Sequence, residues 1–495
     1  MTKTLDEDAC YRALVTHDAR FDGAFFVGVR TTGVYCRPVC RARTPRRENC
    51  VFFSRAAQAE QWGFRACFRC RPERAPGNAM NSNVDAVPRL VLAATHKIEE
   101  GALNEGSVDD LAASLGVGAR HLRRTLREEL GVGPLELALS RRVAVARELL
   151  LGTSLPITEV AFASGFSSVR RFNALYRSHQ GMTPSEVRRP RLSHRKAIPP
   201  GLRLVLDVRP PFDPAPAFSF LKARAVPSSE TVTGDTYRKA VALDDAKGKR
   251  HIGIISVRPA VSKSALIVDV SPSLAPVLMV VAARVRHAFD TDSDPSLIGA
   301  HLCKDPFLRA YVKRRPGLRV QGAFDPFEWA VRAILGQQVS VRAARTLASR
   351  LVERFGIAVA TETSPTFAWP DPQRLANARP DALAAIGITS ARARTLHALA
   401  VSMAEGAIAL DRHGDVEATV ETLLSIPGIG RWTADYIALR SLGWPDAFPA
   451  GDLVLRKVMG GLSAREADLR SQKWKPWRAY AATHLWTGTS EDTEA

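Results

Sequence analysis

Alternation and helical periodicity divide the chain into stretches of different character. In "LRLVLDV", Leu202, Leu204 and Leu206 fall on one face of a strand, and "HIGIISV" and "SALIVDV" predict further strands. Roughly 202 to 305 therefore reads as an α+β module. From about 306 onward amphipathic helices dominate. In "DPFEWAVRAILG", for example, Phe327, Val331, Ile334 and Leu335 make one apolar face, which Gly336 ends. Residues from about 85 to 189 pattern as short helices with tight turns and many arginines. "VDDLAASLGVGARHLRRTLREELG" predicts a helix over Val108 to Leu115, a turn at Gly116-Val117-Gly118 and a basic second helix. "ITEVAFASGFSSVRRFNALYRSHQGMTPSEVRR" repeats the design with its turn at Gly165. Polar "PERAPGNAMNSNVD" and basic "RRPRLSHRKAIPPG" read as linkers, the second extended because it ends in Pro199-Pro200-Gly201.

Composition narrows the function class. A chain of 495 residues has room for three or four domains, and 46% apolar content marks it as mainly folded. A net charge of +19 and a pI near 10.1 point to a polyanionic partner over a basic surface that only keeps the protein soluble. The start is acidic and lacks an apolar core, so it does not read as a signal peptide. The longest apolar run, "LAPVLMVVAARV", is broken by Arg284 and too short to span a bilayer. The expectation is a cytoplasmic protein with no membrane partner and reduced cysteines.

Six of the seven cysteines lie in the first 70 residues. Cys36-x3-Cys40 and Cys67-x2-Cys70 offer two close pairs of thiolates, a spacing that suits tetrahedral Zn2+. Cys10 and Cys50 lack such pairing and read as packed or surface thiols. A small zinc-stapled domain is the plainest interpretation. Two features resist it: Arg37, Arg41, Arg43, Arg65, Arg69 and Arg71 surround the ligands, and zinc keeps a bound thiol deprotonated, hence nucleophilic where accessible. Over residues 5 to 75, "FFVGVRTTGVYCRPVCRARTPRRENCVFF" and "GFRACFRCRPE" resemble the N-terminal domain of the Ada methylation-response family. The resemblance implies that Cys36 takes a methyl group from a methyl phosphotriester in DNA, with Cys36, Cys40, Cys67 and Cys70 on zinc and Arg43 and Arg69 toward DNA. Methyl transfer would make the site more positive and strengthen its hold on the DNA backbone.

In the double helix–turn–helix stretch, Arg120, His121, Arg123 and Arg124 start the first basic helix, where a recognition helix meets base edges. Ser167, Ser168, Arg170, Arg171 and Asn173 do so in the second. Either unit alone also fits a plain packing module. "GFSSVRRFNALYRSHQGMTPSEVR" resembles the AraC-type DNA-binding domain, which implies promoter DNA as partner and admits RNA polymerase as a second. The Pro-Cys-His-Arg-Val active site of the Ada family's C-terminal methyltransferase does not occur in the chain, so repair of O6-methylguanine is not expected.

In "LLSIPGIGRWTADYIALRSLGW", Gly428 and Gly430 permit a tight turn between helices with N–H groups free for a DNA phosphate, as in a helix–hairpin–helix motif. Asp452 follows 22 residues beyond Gly430, where glycosylases with this motif carry a catalytic aspartate and where an N-cap aspartate would also fit. Trp432 stands where lyase-active members place a lysine, so a monofunctional enzyme is expected. Without a C-terminal four-cysteine cluster, no iron–sulfur centre is expected either. "LKARAVPSSETV", "RPGLRVQGAFDPFEWAVRAILGQQVSV", "IPGIGRWTADYIALR" and "WKPWRAYAATHLW" resemble the AlkA family of 3-methyladenine DNA glycosylases over roughly 202 to 490. That resemblance implies Asp452 as the catalytic carboxylate and Trp432, Tyr436 and Trp486 as the wall of a base pocket. It also implies Gln338, in place of leucine, as the wedge that fills the gap of a flipped base, and admits a monovalent cation at the hairpin carbonyls. The expected architecture is a multidomain α+β chain. It comprises a zinc-bound Ada-type domain (1–77), an all-α double helix–turn–helix domain (85–189), an α+β module (202–305) and an all-α helix–hairpin–helix glycosylase domain (306–495), expected to act as a monomer on double-stranded alkylated DNA. Two alternatives are a DNA-binding regulator with an inert glycosylase half, and a nuclease or lyase of the same fold, which Trp432 disfavours.

Overall fold

The computed structural model describes residues 5–76, 86–192 and 202–492, apart from 246, 262, 263, 362 and 413. Most of both predicted linkers, 77–85 and 193–201, lies outside the described residues. The start of the first is structured, since Pro72–Arg74 forms a 3-10 turn. The chain divides into two compact units. One contains Met1–Pro210, Leu243–Gly253 and Ala260–Ala283; the other contains Pro211–Ala242, Ile254–Pro259 and Arg284–Ala495. No helix among the described residues is long and apolar enough to cross a membrane.

The first unit begins with a four-stranded sheet in the order β3–β1–β2–β4, formed by β1 (Phe26–Val29), β2 (Val34–Cys36), β3 (Cys50–Phe53) and β4 (Arg65–Ala66). β1 runs antiparallel to β2 and β3, while β2 and β4 are parallel, with Tyr35 opposite Ala66. Two helix pairs follow, Val108–Ser114 with Ala119–Leu130 and Ile157–Ala163 with Val169–Gln180. The predicted first helix thus ends one residue early, with Leu115 as its cap. Both second helices end at a glycine in the left-handed region, Gly131 at φ 69° and Gly181 at φ 68°, so the two units share their stop signal as well as their turn. Between the pairs runs Pro134–Gly152, whose buried Val143, Val145, Ala146, Leu149 and Leu150 show a helix enclosed on more than one face.

The three predicted strands belong to a five-stranded sheet in the order β5–β9–β8–β7–β6, from β5 (Leu202–Asp207), β6 (Glu230–Thr233), β7 (Thr236–Asp244), β8 (Arg250–Pro259) and β9 (Ala265–Val270). Leu202, Leu204 and Leu206 are all buried, as the alternation requires.

The second unit is mainly helical around an apolar core that includes Val331, Ile334, Leu335, Leu439, Leu455 and Leu485. The predicted amphipathic helix forms as Pro326–Leu335, capped by Gly336. Beside that core lies a buried ionic cluster. Lys239 Nζ is 2.7 Å from Glu328 and 3.2 Å from Glu230, and Arg332 is 2.7 Å from Glu328 and 2.5 Å from Glu230. Burial opposes ionisation of Glu230, but Arg332 and Lys239 outweigh it and draw the carboxyl down to about 2. Two anions matched by two cations hold strands β6 and β7 to the helix Pro326–Leu335. Lys239→Met would leave two buried carboxylates sharing one cation, and is expected to lower stability by about 3 kcal/mol. Denaturant unfolding at neutral pH, followed by tryptophan fluorescence, checks this because seven of the eight tryptophans lie in this unit.

Candidate metal centre and base pocket

The parallel pairing of β2 and β4 assembles the cysteine site. With Tyr35 opposite Ala66, the next residues, Cys36 and Cys67, leave adjacent strands side by side, and Cys67 N donates to the Tyr35 carbonyl at 3.0 Å. Short turns return Cys40 and Cys70 to the same place, so the four Sγ atoms lie within 4.8 Å of one another. A ZnS4 tetrahedron has edges of about 3.8 Å. Held this close, the thiols cannot all be anionic unaided: hydrogen bonding with Cys40, Cys67 and Cys70 pushes Cys36 up, while Cys36 draws Cys40 down to about 7. A dication removes that conflict, and the donor set is the one zinc takes. Arg37 N points to Cys70 Sγ at 3.4 Å, Arg69 N to Cys67 Sγ at 3.4 Å, and Ala42 N bonds Cys40. Among the described residues no backbone N–H is aimed at Cys36 Sγ, and Cys36 is half-buried. Cys10 and Cys50 are buried away from the cluster among Phe25, Val27 and Phe52.

The six surrounding arginines divide into two kinds. Arg37 is buried against Asp22 and Asp207, the latter at 2.6 Å. Arg71 is buried against Glu73 at 2.6 Å and Glu148 at 2.5 Å. Both are internal struts. Arg41, Arg43, Arg65 and Arg69 are exposed. Sequence reading missed Arg147, which donates to the Cys67 carbonyl at 2.8 Å and lies 4.5 Å over the Phe68 ring. It therefore ties the helix Pro134–Gly152 to a ligand loop.

In the helix pairs, Leu122 and Leu126 anchor one second helix and Phe172 and Tyr176 the other, all fully buried. Arg120, His121, Arg123, Arg124, Ser167, Ser168, Arg170, Arg171 and Asn173 are exposed at the helix starts. Ser168 has a second task as N-cap, accepting from Arg171 N.

In the helical unit, Gly428 sits at φ 93°, and a Cβ there would fall 2.0 Å from Thr395 Oγ1. Thr395 donates to the Pro427 carbonyl at 2.8 Å, and Gln337 Nε2 donates to the Gly428 carbonyl at 2.9 Å. Gly430 is the N-cap of the helix Arg431–Arg440, has no side-chain cap and faces open space. Gln338 stands exposed at φ 53° beside Gln337, whose contacts tie this projecting turn to the hairpin.

Asp452 takes the N-cap position that one of its two readings expected. It caps the helix Leu453–Val458, Oδ1 accepting from Val454 N at 3.1 Å and Leu455 N at 3.0 Å. The same Oδ1 accepts from Trp486 Nε1 at 3.0 Å, and Oδ2 from Trp432 Nε1 at 3.3 Å. Trp432 and Tyr436 stack at 5.3 Å and 12°, and Trp486 meets Tyr436 edge-on at 6.3 Å. All three are half-buried, whereas Trp474, Trp477 and Tyr480 are buried in the core. Two members of this group had no signal in the motif: Phe220, from the helix Ala215–Arg224, and the buried Arg440, whose guanidinium lies 4.4 Å from the Phe220 ring centre.

Comparison with known proteins follows the same order along the chain. Family models match at residues 9–73 (metal binding domain of Ada), 111–190 (helix-turn-helix domain), 203–325 (AlkA N-terminal domain) and 331–478 (HhH-GPD superfamily base excision DNA repair protein). A Mycobacterium tuberculosis protein described as a probable bifunctional transcriptional activator/DNA repair enzyme AlkA is 42% identical over 493 residues, covering 97% of this chain and 96% of that one. DNA-3-methyladenine glycosylase 2 of Escherichia coli is 37% identical over 282 residues, 57% of this chain and 95% of that one. Among solved structures, a 3-methyladenine DNA glycosylase from Archaeoglobus fulgidus shares the fold at a TM-score of 0.51 and 21% identity, over 57% of this chain and 97% of that one.

Gly428→Ala would force both a left-handed alanine and a clash with Thr395, and is expected to weaken binding to any DNA duplex at least about tenfold. Fluorescence polarisation with undamaged duplex DNA reads this, and unchanged affinity would remove the hairpin from the DNA interface.

Proposed function

The chain belongs to the family of bifunctional proteins that join an Ada-type metal-binding domain and a helix–turn–helix reader to an AlkA-type glycosylase, and we propose that it answers DNA alkylation in two ways, by excising damaged bases and by regulating transcription. The observation that carries the repair half is the Asp452 carboxylate, oriented by two indole N–H groups from the cluster of Trp432, Tyr436 and Trp486.

An alkylated purine such as 3-methyladenine is electron-poor and stacks well on Trp432, Tyr436 and Trp486 once flipped from the duplex. As the glycosidic bond breaks, its electron pair leaves with the base and positive charge grows on the sugar, which Asp452 is placed to stabilise. Water then adds its hydroxyl to the sugar carbon. Trp432 occupies the position where a lysine nucleophile would stand, so the product is an abasic site with an intact strand. Gln338 fills the gap left by the base, and Gly428 and Gly430 bring backbone N–H groups to a phosphate. The Pro427 and Gly428 carbonyls already accept side-chain hydrogen bonds, which weakens the case for a monovalent cation at the hairpin.

In the regulatory half, Cys36, Cys40, Cys67 and Cys70 would hold Zn2+, which keeps the bound thiols deprotonated at neutral pH. Cys36 is the acceptor we favour. Among the described residues its sulfur takes no backbone N–H, whereas hydrogen bonds damp the other three. Its thiolate attacks the methyl carbon of a phosphotriester: the S–C bond forms as the C–O bond breaks, and the electron pair returns to the phosphate oxygen. The site loses negative charge as the phosphate regains it, which raises its affinity for DNA with Arg43 and Arg69 exposed beside it. Arg120, Arg124, Arg170 and Arg171 then read promoter DNA, with RNA polymerase as the downstream partner. A single chain acting as a monomer in the cytoplasm suffices for this scheme.

Asp452→Asn is expected to cut release of 3-methyladenine from methylated DNA by at least about a hundredfold while leaving duplex binding intact; release at the wild-type rate would remove the catalytic assignment. In the same sample, mass spectrometry should find methyl on Cys36 of the wild type and none in Cys36→Ala. Methyl on another cysteine would reassign the acceptor.

A further inference from the structure

Arg440 is the last residue of the hairpin's second helix and is 2% exposed. Its guanidinium lies 4.4 Å from the ring centre of Phe220, 5.3 Å from that of Trp486 and 5.5 Å from that of Tyr436. Nη1 donates to the Gln321 carbonyl at 2.8 Å, and the buried Nε has no partner. Two other buried arginines in this unit are neutralised, Arg332 by Glu230 and Glu328 and Arg478 by Asp446. Arg440 has no carboxylate within ion-pair distance among the described residues; what offsets its charge is the Tyr436 hydroxyl, the π faces it touches and, farther off, Asp452. Burial lowers its pKa from the ordinary value, opposed by Tyr436 and Asp452. An arginine nevertheless remains a cation. A structural arginine at this depth would cost less with a carboxylate partner, so a charge without one behind the pocket wall calls for a use.

We infer that Arg440 is a positioning residue for base release, acting through the rings of Tyr436 and Trp486 to draw electron density onto the departing base at the expense of a weaker hold on cationic bases. The inference rests on the glycosylase reading above. When the glycosidic bond breaks, both its electrons stay with the base, which therefore becomes one charge unit more negative whether it arrived cationic or neutral. A fixed cation behind the wall favours that change in the transition state. In the ground state the same cation repels only a base that arrives positively charged. Arg440 thus affects turnover and binding in opposite directions for a cationic base, and leaves binding of a neutral one alone. A residue that merely props the rings would not produce that split.

The test uses the full-length zinc-loaded protein and Arg440→Met, which preserves length and removes charge. On duplex DNA carrying cationic 7-methylguanine, kcat should fall about tenfold and KM about threefold. Affinity for a duplex carrying the neutral, uncleaved isostere 3-deaza-3-methyladenine should not change. Arg440→Lys, which keeps the charge, should retain kcat within about threefold of wild type. A KM for 7-methylguanine that rises, or an equal loss of affinity for the neutral isostere, would assign Arg440 to ring support and overturn the inference. Should Arg440→Met not fold, a folded Arg440→Lys that has lost kcat tenfold overturns it equally. Wild-type protein that releases no 7-methylguanine would instead sink the glycosylase reading itself, so the two failures are distinguishable.

Discussion

Four N–H groups converge on the carboxylate of Asp452: two backbone amides of the helix it caps and the indoles of Trp432 and Trp486. The amides come from the first turn after Asp452, Trp432 from the helix that follows the hairpin, and Trp486 from the helix that ends the described chain. One carboxylate therefore sets the relation between three segments that are distant in sequence. It also orients the aromatic wall, because each indole that donates to Asp452 presents its face in a direction its N–H bond determines. In the proposed reaction the cap and the chemistry would be a single arrangement: the helix start holds the carboxylate still, and a charge held still needs no reorganisation when the sugar becomes positive.

The cysteine site solves a related problem with the opposite sign. Four thiols gathered by the parallel strands β2 and β4 repel one another as anions and favour a dication at their centre. Their environments are unequal. Cys40, Cys67 and Cys70 take backbone N–H groups, which leaves Cys36 as the sulfur whose electrons are least engaged. In both places the distribution of N–H donors sets neighbouring groups apart: four converge on the Asp452 carboxylate, and among the described residues no backbone N–H is aimed at the Cys36 sulfur.

Arginine serves three purposes in this chain, and exposure with partnership distinguishes them. Arg37, Arg71 and Arg332 are buried against carboxylates and hold elements together. Arg43, Arg69, Arg120, Arg124, Arg170 and Arg171 are exposed, as the proposed contact with a phosphate backbone would require. Arg440 belongs to neither group, being buried among rings with no carboxylate on it. The net charge of +19 already subtracts the carboxylates on the buried struts, so the excess is carried by other cations.

Much of this was legible in one dimension. The spacing of Cys36, Cys40, Cys67 and Cys70, the two glycines of the hairpin, and Asp452 at 22 residues beyond it are local patterns, and local geometry imposes them: metal pairs need one turn, a tight hairpin needs a left-handed residue, and a helix start favours a short acid. The paired helix–turn–helix units and the alternating strand at Leu202 were equally plain, with ends correct to within a residue. What a linear pattern does not carry is which charges find partners and which rings meet. Arg37 and Arg41 look alike in sequence, but only the packing of Asp22 and Asp207 around the first makes it a strut. Phe220 reached Arg440 only because a helix more than two hundred residues upstream packs there. Spacing along the chain marked the candidate zinc site and hairpin because bond geometry acts over a few residues, and the family resemblance pointed to the chemistry; burial and long-range contact decided how each charge is used, because desolvation depends on neighbours that the fold alone brings together.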